Sequence, residues 1–234
     1  MNPNIAKISS LLSDPSRSSI LLTLMDGRIH PAGELAYLAN IKPQTASFHL
    51  KKLLEEKLIS VEKHGRHRYY RLSNSDTANV IEQLLCIAPK AKVTSLKGSK
   101  GKSDLHFARS CYDHLAGYVG VQITNSLVEQ GMLKKVDQNF EMTSEGSLFF
   151  LSLGINEEQQ RNKRRAFARC CLDWSERQHH LAGALGNALL ARMLEEEWIV
   201  RMPKTRAIRM TQSGKAAFGK YFKVNIEGTF DVRE

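Results

Sequence analysis

Two adjoining runs decide the fold: Lys42-Pro43-Gln44-Thr45-Ala46-Ser47-Phe48-His49-Leu50-Lys51-Lys52-Leu53-Leu54, and Leu58-Ile59-Ser60-Val61-Glu62-Lys63-His64-Gly65-Arg66-His67-Arg68-Tyr69-Tyr70-Arg71-Leu72. Pro43 suits the first position of a helix, where its missing N–H costs nothing. Ala46, Leu50, Leu53 and Leu54 recur at spacings of three and four, which places them on one apolar side of that helix. The second run reads as a hairpin, with a strand at Leu58–Val61, a turn at His64–His67 and a return strand at Tyr69–Leu72. From Lys42 to Arg71 there are eight Lys or Arg against three acids, so half of the formal +10 charge of the 234-residue chain sits in 30 residues.

Upstream, Asp14-Pro15 reads as an N-cap followed by proline, and Ile20, Leu21, Leu22 and Leu24 give the helix an apolar side before Gly27 closes it. His30-Pro31 then reads as the opening of a second helix carrying Leu35 and Leu38. A last helix, about 76–88, carries Val80, Ile81, Leu84, Leu85 and Ile87. Helix, short turn, helix and basic hairpin is the order of a winged helix-turn-helix. A helix of this kind enters the major groove of a duplex, and its N-terminal polar side chains reach base edges. Gln44, Thr45, Ser47, Phe48 and His49 stand in that place, with Lys51 and Lys52 beyond them. Gln pairs bidentately with adenine, whereas Ser and Thr discriminate less. The hairpin, with Lys63, Arg66, His67, Arg68 and Tyr70, would lie along phosphates or in the minor groove. Phe48 and His49 also have packing roles open to them, beneath the helix or against its neighbours.

These residues resemble the ArsR family of bacterial winged-helix regulators. The likeness runs through Leu12-x-Asp14-Pro15-x-Arg17-x-x-Ile20-Leu21, Glu34-Leu35-Ala36, Ser47-x-His49-Leu50-x-x-Leu53, Gly65-Arg66 and Tyr69-Tyr70-x-Leu72, and covers about 12–88. It implies a homodimer on a palindromic operator, usually a repressor released by an effector, with dimer contacts through the first and last helices of this domain. Many relatives carry paired metal-binding cysteines in the helix after Glu34-Leu35. Here that place reads Ala36-Tyr37-Leu38-Ala39, so metal sensing there does not carry over.

The run 89–104 holds five Lys, two Gly, three Ser and one Pro, the composition of a flexible basic linker. It separates 1–88 from 105–234, and the second half repeats itself. Arg109-Ser110-Cys111-Tyr112-Asp113 matches Arg169-Cys170-Cys171-Leu172-Asp173, His114-Leu115-Ala116-Gly117 matches His180-Leu181-Ala182-Gly183, and Met142-Thr143-x-x-Gly146 matches Met210-Thr211-x-x-Gly214. The copies span about 105–155 and 165–222. Each reads as helix, two short strands and helix, with Thr143 and Thr211 as N-caps of the closing helices. Ala116, Gly117 and Gly120, like Ala182, Gly183 and Gly186, would let the leading helices approach closely across a pseudo-twofold axis.

Cys111 and His114, three apart, would share a helix face in that reading, and the pseudo-dyad would bring Cys171 near, with His179 and His180 beside it. Thiolate and imidazole suit zinc or copper(I), so a transition metal is the one cofactor these residues point to. The competing reading makes the cysteines small buried hydrophobes and pairs Arg109 with Asp113, and Arg169 with Asp173, as i,i+4 ions. A second basic run, Arg161 to Arg165, would extend DNA contact, bind an anionic effector or simply be a solvated helix start.

The remaining features narrow the class. A sequence pI near 9.5 on an ordinary globular composition calls for a polyanionic partner, with nucleic acid first. No basic n-region leads into an apolar run at Met1–Arg17, and no run approaches the span of a bilayer, which points to a cytoplasmic protein with no membrane partner. Four cysteines at irregular spacing are no secreted disulfide framework. There is no P-loop, dinucleotide fingerprint, serine elbow or H-E-x-x-H, so no enzyme is expected. The expectation is a mainly α chain with short β-hairpins (α+β): a winged helix-turn-helix at 1–88, then a duplicated regulatory or dimerisation domain. Its function would be sequence-specific transcriptional regulation, probed against two alternatives: a thiol- or metal-responsive sensor, and a sequence-indifferent nucleoid-type binder.

Overall fold

The computed structural model describes residues 4–65, 67–89, 104–203 and 205–226. They fall into two compact units, Met1–Lys102 and Ser103–Glu234. The basic run at 89–104 lies almost wholly outside the described residues, as does Arg66 at the hairpin turn.

The first unit opens with a helix not expected from the sequence, α1 (Ile5–Leu12), then α2 (Pro15–Leu24). Asp14 caps α2, its carboxylate accepting the Arg17 N–H at 2.9 Å. His30–Pro31 does not open a helix. It is a short strand, β1, which pairs His30 with Tyr70 and Pro31 with Tyr69, and α3 (Ala32–Leu38) follows it. Proline fits there because β1 is an edge strand. Next come α4 (Pro43–Glu55), the hairpin β2 (Ile59–His64) and β3 (His67–Leu72), and α5 (Ser75–Ile87). The sheet order is β1-β3-β2. Ile20, Leu21, Leu24, Leu35, Leu50, Leu53, Ile59 and Ile81 form one core between the helices and the sheet.

The second unit runs α6 (104–107), β4 (Arg109–Cys111), β5 (His114–Ala116), α7 (Gly117–Glu129), β6 (Leu133–Val136), β7 (Asn139–Met142), α8 (Ser144–Ser152) and α9 (Glu157–Arg161). The second copy follows as β8 (Arg169–Leu172), β9 (His179–Ala182), α10 (Gly183–Glu195), β10 (Ile199–Arg201), β11 (Ile208–Met210) and α11 (Gln212–Phe222). The segment around Cys111 and His114 is therefore a hairpin, not a helix. Each copy reads hairpin, helix, hairpin, helix.

The copies interlock. The first copy's second hairpin joins the second copy's leading hairpin in a four-stranded sheet, β6-β7-β8-β9. Reciprocally, β4 bridges to Ala207 beside β11, with Ser110 N–H donating to the Arg206 carbonyl at 2.9 Å. A single core draws on both copies, including Leu115, Val119, Ile123 and Phe150 from one and Leu181, Leu185, Met193 and Phe218 from the other. Thr143 and Thr211 cap α8 and α11 by accepting the Gly146 and Gly214 N–H groups at 3.0 and 2.9 Å.

The helix glycines serve a different closeness from the one expected. At Gly117 and Gly183 φ is +81°, and a Cβ would come within 2.7 Å of the His106 carbonyl oxygen and 2.6 Å of the Ala166 carbonyl oxygen, respectively. At Gly120 and Gly186 it would meet the carbonyls of Leu115 and Leu181. The tight approach is thus mainly within each copy, between a helix start and its own hairpin or the segment leading into it.

Candidate nucleic-acid interface and a buried cysteine–histidine cluster

In the first unit the amphipathic pattern of α4 settles which side faces out. Ala46, Leu50 and Leu53 are buried, while Lys42, Gln44, Thr45, Ser47 and Lys51 are exposed. Phe48 is 55% exposed and lies on the outer side of the helix, with the Lys52 ammonium 4.4 Å from its ring centre. His49 does not face outward. It is buried, its Nδ1 lies 3.4 Å from the Arg17 guanidinium and its Nε2 lies 3.8 Å from Asp14. Arg17 also donates to the carbonyls of Leu11 and Ser10, both at 2.8 Å, and so ties α1, α2 and α4 together. The Arg17 backbone N–H is the main reason the Asp14 carboxyl is held below the usual carboxylate range. Of the two roles open to His49, the fold takes the packing one, and Arg17, quoted above only in the family likeness, joins it in seating the helix.

The hairpin stands beside α4. Lys63 faces Arg68 across the two strands, both exposed, as are His64 and His67. Tyr70 is buried and packs into the core instead of projecting with them. Glu62 is occupied by Arg71 at 3.0 Å, so among the described residues Lys63 and Arg68 bring exposed charge near the tip. Among the described residues neither the Lys63 nor the Arg68 side chain has an ionic or hydrogen-bonding partner.

In the second unit the two Cys–His pairs are direct cross-strand partners, Cys111 with His114 and Cys171 with His180. Each pair therefore projects from one face of its hairpin. The interlocking brings the two faces together, so that one donor atom from each of Cys111, His114, Cys171 and His180 lies within 4.8 Å of the others. The Nε2 atoms of His114 and His180 are 3.1 Å apart. Cys111, His114 and His180 are buried and Cys171 is half-buried. His179 is not in the cluster. It points away toward Lys135, 3.1 Å from its Nδ1, and burial and that ammonium push its pKa down. Cys170, one residue along the strand, turns into the apolar core.

The expected i,i+4 ion pairs do not form. Arg109, fully buried, pairs across the copies with Asp173 at 3.0 Å, and Asp113 pairs with Arg165. Asp173 also accepts the N–H of Gly117 at 2.7 Å, Ser175 at 2.9 Å and Glu176 at 3.1 Å. Each carboxylate stands behind one imidazole: Asp113 Oδ1 is 3.4 Å from His114 Nδ1, and Asp173 Oδ2 is 3.4 Å from His180 Nδ1, the latter a charge contact outside hydrogen-bond geometry. Burial works against charge on both rings, but the carboxylates and the Cys111 sulfur outweigh it and raise both pKa values. Burial likewise opposes ionisation of Asp113 and Asp173, and their hydrogen-bonding and charged partners hold both well below the usual range.

An exposed helix with polar residues at its N-terminal end, seated on a three-helix core beside a basic two-stranded wing, defines a winged helix-turn-helix DNA-binding domain. Comparison with known proteins agrees. A family model described as a helix-turn-helix domain matches residues 12–62. The HTH-type transcriptional regulator YdfF of Bacillus subtilis (strain 168) is 87% identical over 226 residues, covering 97% of this chain and all of that protein. The chain belongs to the HTH-type transcriptional regulators. A second regulator of the same organism, YceK, is 40% identical over 68 residues, 29% of this chain and 68% of its own length. Among solved structures, the cadmium sensor CMTR of Mycobacterium tuberculosis is 28% identical, with coverage of 39% of this chain and 94% of that one and a TM-score of 0.32. The homodimeric winged helix-turn-helix domain Mb0332 of Mycobacterium bovis is 24% identical, with coverage of 34% and 73% and a TM-score of 0.32. No helix among the described residues is long and apolar enough to cross a membrane.

Proposed function

We propose that this regulator is a homodimeric, ArsR-like repressor that reads a palindromic operator through α4 and is released by an effector acting on the second unit. The observation that carries the DNA reading is the division of α4 into a buried apolar side and an exposed side bearing Gln44, Thr45, Ser47 and Lys51. In this reading Gln44 and Thr45 face base edges, Lys51 and Lys52 meet phosphates, and Lys63 and Arg68 hold the backbone beside the wing, with His67 next to them. Phe48 offers its ring edge to a thymine methyl. His49 and Tyr70 act from behind, by fixing the helix and the wing.

Support for the dimer comes from α5. Val80, Leu84 and Ile87 follow one another at spacings of four and three and are 53%, 41% and 81% exposed, and Ile5 of α1 is 78% exposed. Apolar stripes of that kind are covered by a partner in stable regulators. A footprint on DNA upstream of the protein's own gene, with excess competitor DNA, tests the proposal. Protected half-sites about one helical turn apart are expected. Uniform coating that competitor abolishes would instead identify a nucleoid-type binder.

A further inference from the structure

The structure assigns a second site: Cys111, His114, Cys171 and His180 form a four-coordinate Cys2His2 site for a zinc-type cation, which staples the two copies of the second unit together. This inference does not rest on the DNA reading.

Three lines of geometry meet there. The donor set is complete, with two sulfurs and two imidazole nitrogens contributed symmetrically by the two hairpins. The spacing is close to what the ion needs. With Zn–N near 2.0–2.1 Å and Zn–S near 2.3 Å, tetrahedral donors stand about 3.3–3.8 Å apart. The two Nε2 atoms are at 3.1 Å, and the whole set within 4.8 Å, so side-chain rotations of about 1 Å close it. The outer partners are those of a metal site. Asp113 hydrogen-bonds the Nδ1 of His114, and the Asp173 carboxylate lies 3.4 Å from the Nδ1 of His180 as a charge contact; both place negative charge behind Nδ1, which favours a proton there and leaves each Nε2 turned toward the other. Two lone pairs so placed repel each other unless a proton or a cation lies between them.

The charge balance favours the cation. Binding displaces to solvent one proton from each thiol and any proton shared by the two Nε2 atoms, and two thiolates with two neutral imidazoles then cancel the dication, so the loaded site adds no net charge to a buried environment. Packing alone explains Cys170, which is among the core hydrophobes, but not Cys171, which turns to the opposite face of β8 toward His180. The strained turn between Cys111 and His114, where Tyr112 has a φ of +57°, holds the first pair in register. All four positions donate, so the site is closed, as structural zinc sites are.

The test uses the full-length chain, reduced and stripped with a chelator, and cobalt(II) as the probe. One cobalt per chain is expected, with the intense visible bands of four-coordinate cobalt and a thiolate charge-transfer band, both bleached by one equivalent of zinc. Cys111→Ser and Cys171→Ser should each abolish the charge-transfer band or weaken it by half, while His179→Ala and Cys86→Ser leave the spectrum unchanged. Asp113→Ala should weaken binding by about 10–100-fold, the usual effect of removing an outer partner. Reduced wild-type protein that takes up no cobalt, or binds it only with the pale spectrum of six-coordinate cobalt, would overturn the assignment. So would a charge-transfer band that survives in the Cys111→Ser/Cys171→Ser double variant. The wild-type titration decides the matter even if a variant fails to fold.

Discussion

Arg109→Met is the most informative single change in the second unit. The Arg109 and Asp173 side chains are about 1% and 0% exposed, so solvent screens almost none of their attraction. The guanidinium also donates to the Leu105 carbonyl at 3.0 Å and stacks 4.6 Å from the Trp174 ring. Methionine keeps much of the apolar stem but leaves the carboxylate without its cation. Removing one partner of a buried pair costs about 3–5 kcal/mol. Here the N–H groups of Gly117, Ser175 and Glu176 remain on the carboxylate, which places the loss near the lower end, about 3 kcal/mol. For a unit of this size that lowers the unfolding midpoint by about 10–15 °C. Urea unfolding followed by tryptophan fluorescence measures it cleanly, because both tryptophans, Trp174 and Trp198, lie in this unit. Adding Asp173→Asn to Arg109→Met should recover part of the loss, since the orphaned charge then disappears. A loss below about 1 kcal/mol, the value of an exposed pair, would refute the premise that this contact locks the copies together.

Three further outcomes are expected. Gln44→Ala should relax preference at one base position, whereas Lys51→Ala should weaken binding to all sequences and lower the salt slope by about 1, both read from binding isotherms on cognate and scrambled duplexes. Equal losses on both duplexes for Gln44→Ala would remove it from base reading. His30 lies 3.0 Å from Asp26 and 3.1 Å from Glu34; burial opposes its charge, but the two carboxylates raise its pKa. Its contribution to stability is therefore full below the unfolded value near 6.5 and is lost as pH rises through the raised folded value, so wild type should lose its advantage over His30→Asn between mildly acidic and alkaline pH in denaturant titrations. If the proposed dimer forms through α5, Val80→Glu with Leu84→Glu should convert it to monomer in sedimentation while the circular dichroism of the helices stays unchanged, and a wild-type monomer would remove the proposal.

The first unit was largely legible because its signals are local. Asp14-Pro15, the three-four spacing of Ala46, Leu50, Leu53 and Leu54, and the basic turn each declare their element within a few residues. The exceptions are tertiary. His30-Pro31 carries a helix-opening proline, yet its partners are Tyr69 and Tyr70, some 40 residues away, and the strand they form cannot be read from two residues. His49 and Tyr70 have the residue types of a duplex contact, and only burial shows that they work from inside. The unexpected α1 is tied down by Arg17, whose reach to Ser10 and Leu11 is invisible in a one-dimensional pattern.

The second unit was legible as a repeat with the two copies meeting about a pseudo-dyad, but the exchange of hairpins between them was not legible. Local spacing alone pairs Arg109 with Asp113 and puts Cys111 and His114 on one helix face. The exchange of hairpins changes both conclusions at once. When β6 and β7 of one copy complete a sheet with β8 and β9 of the other, equivalent positions meet across the axis, so a half-site in either copy becomes a whole site. Two cysteines and two histidines that form no dense motif in the sequence thereby acquire the donor count that a C-x-x-C pair would otherwise have to announce. The same exchange gives Arg109 its partner in Asp173 and lets Asp173 hold both the start of α7 and the imidazole of His180. Stability and site are then one construction: a change that loosens the buried ion pair also moves a donor of the cluster. Such an arrangement would let occupancy of the cluster alter how firmly the two copies are held together.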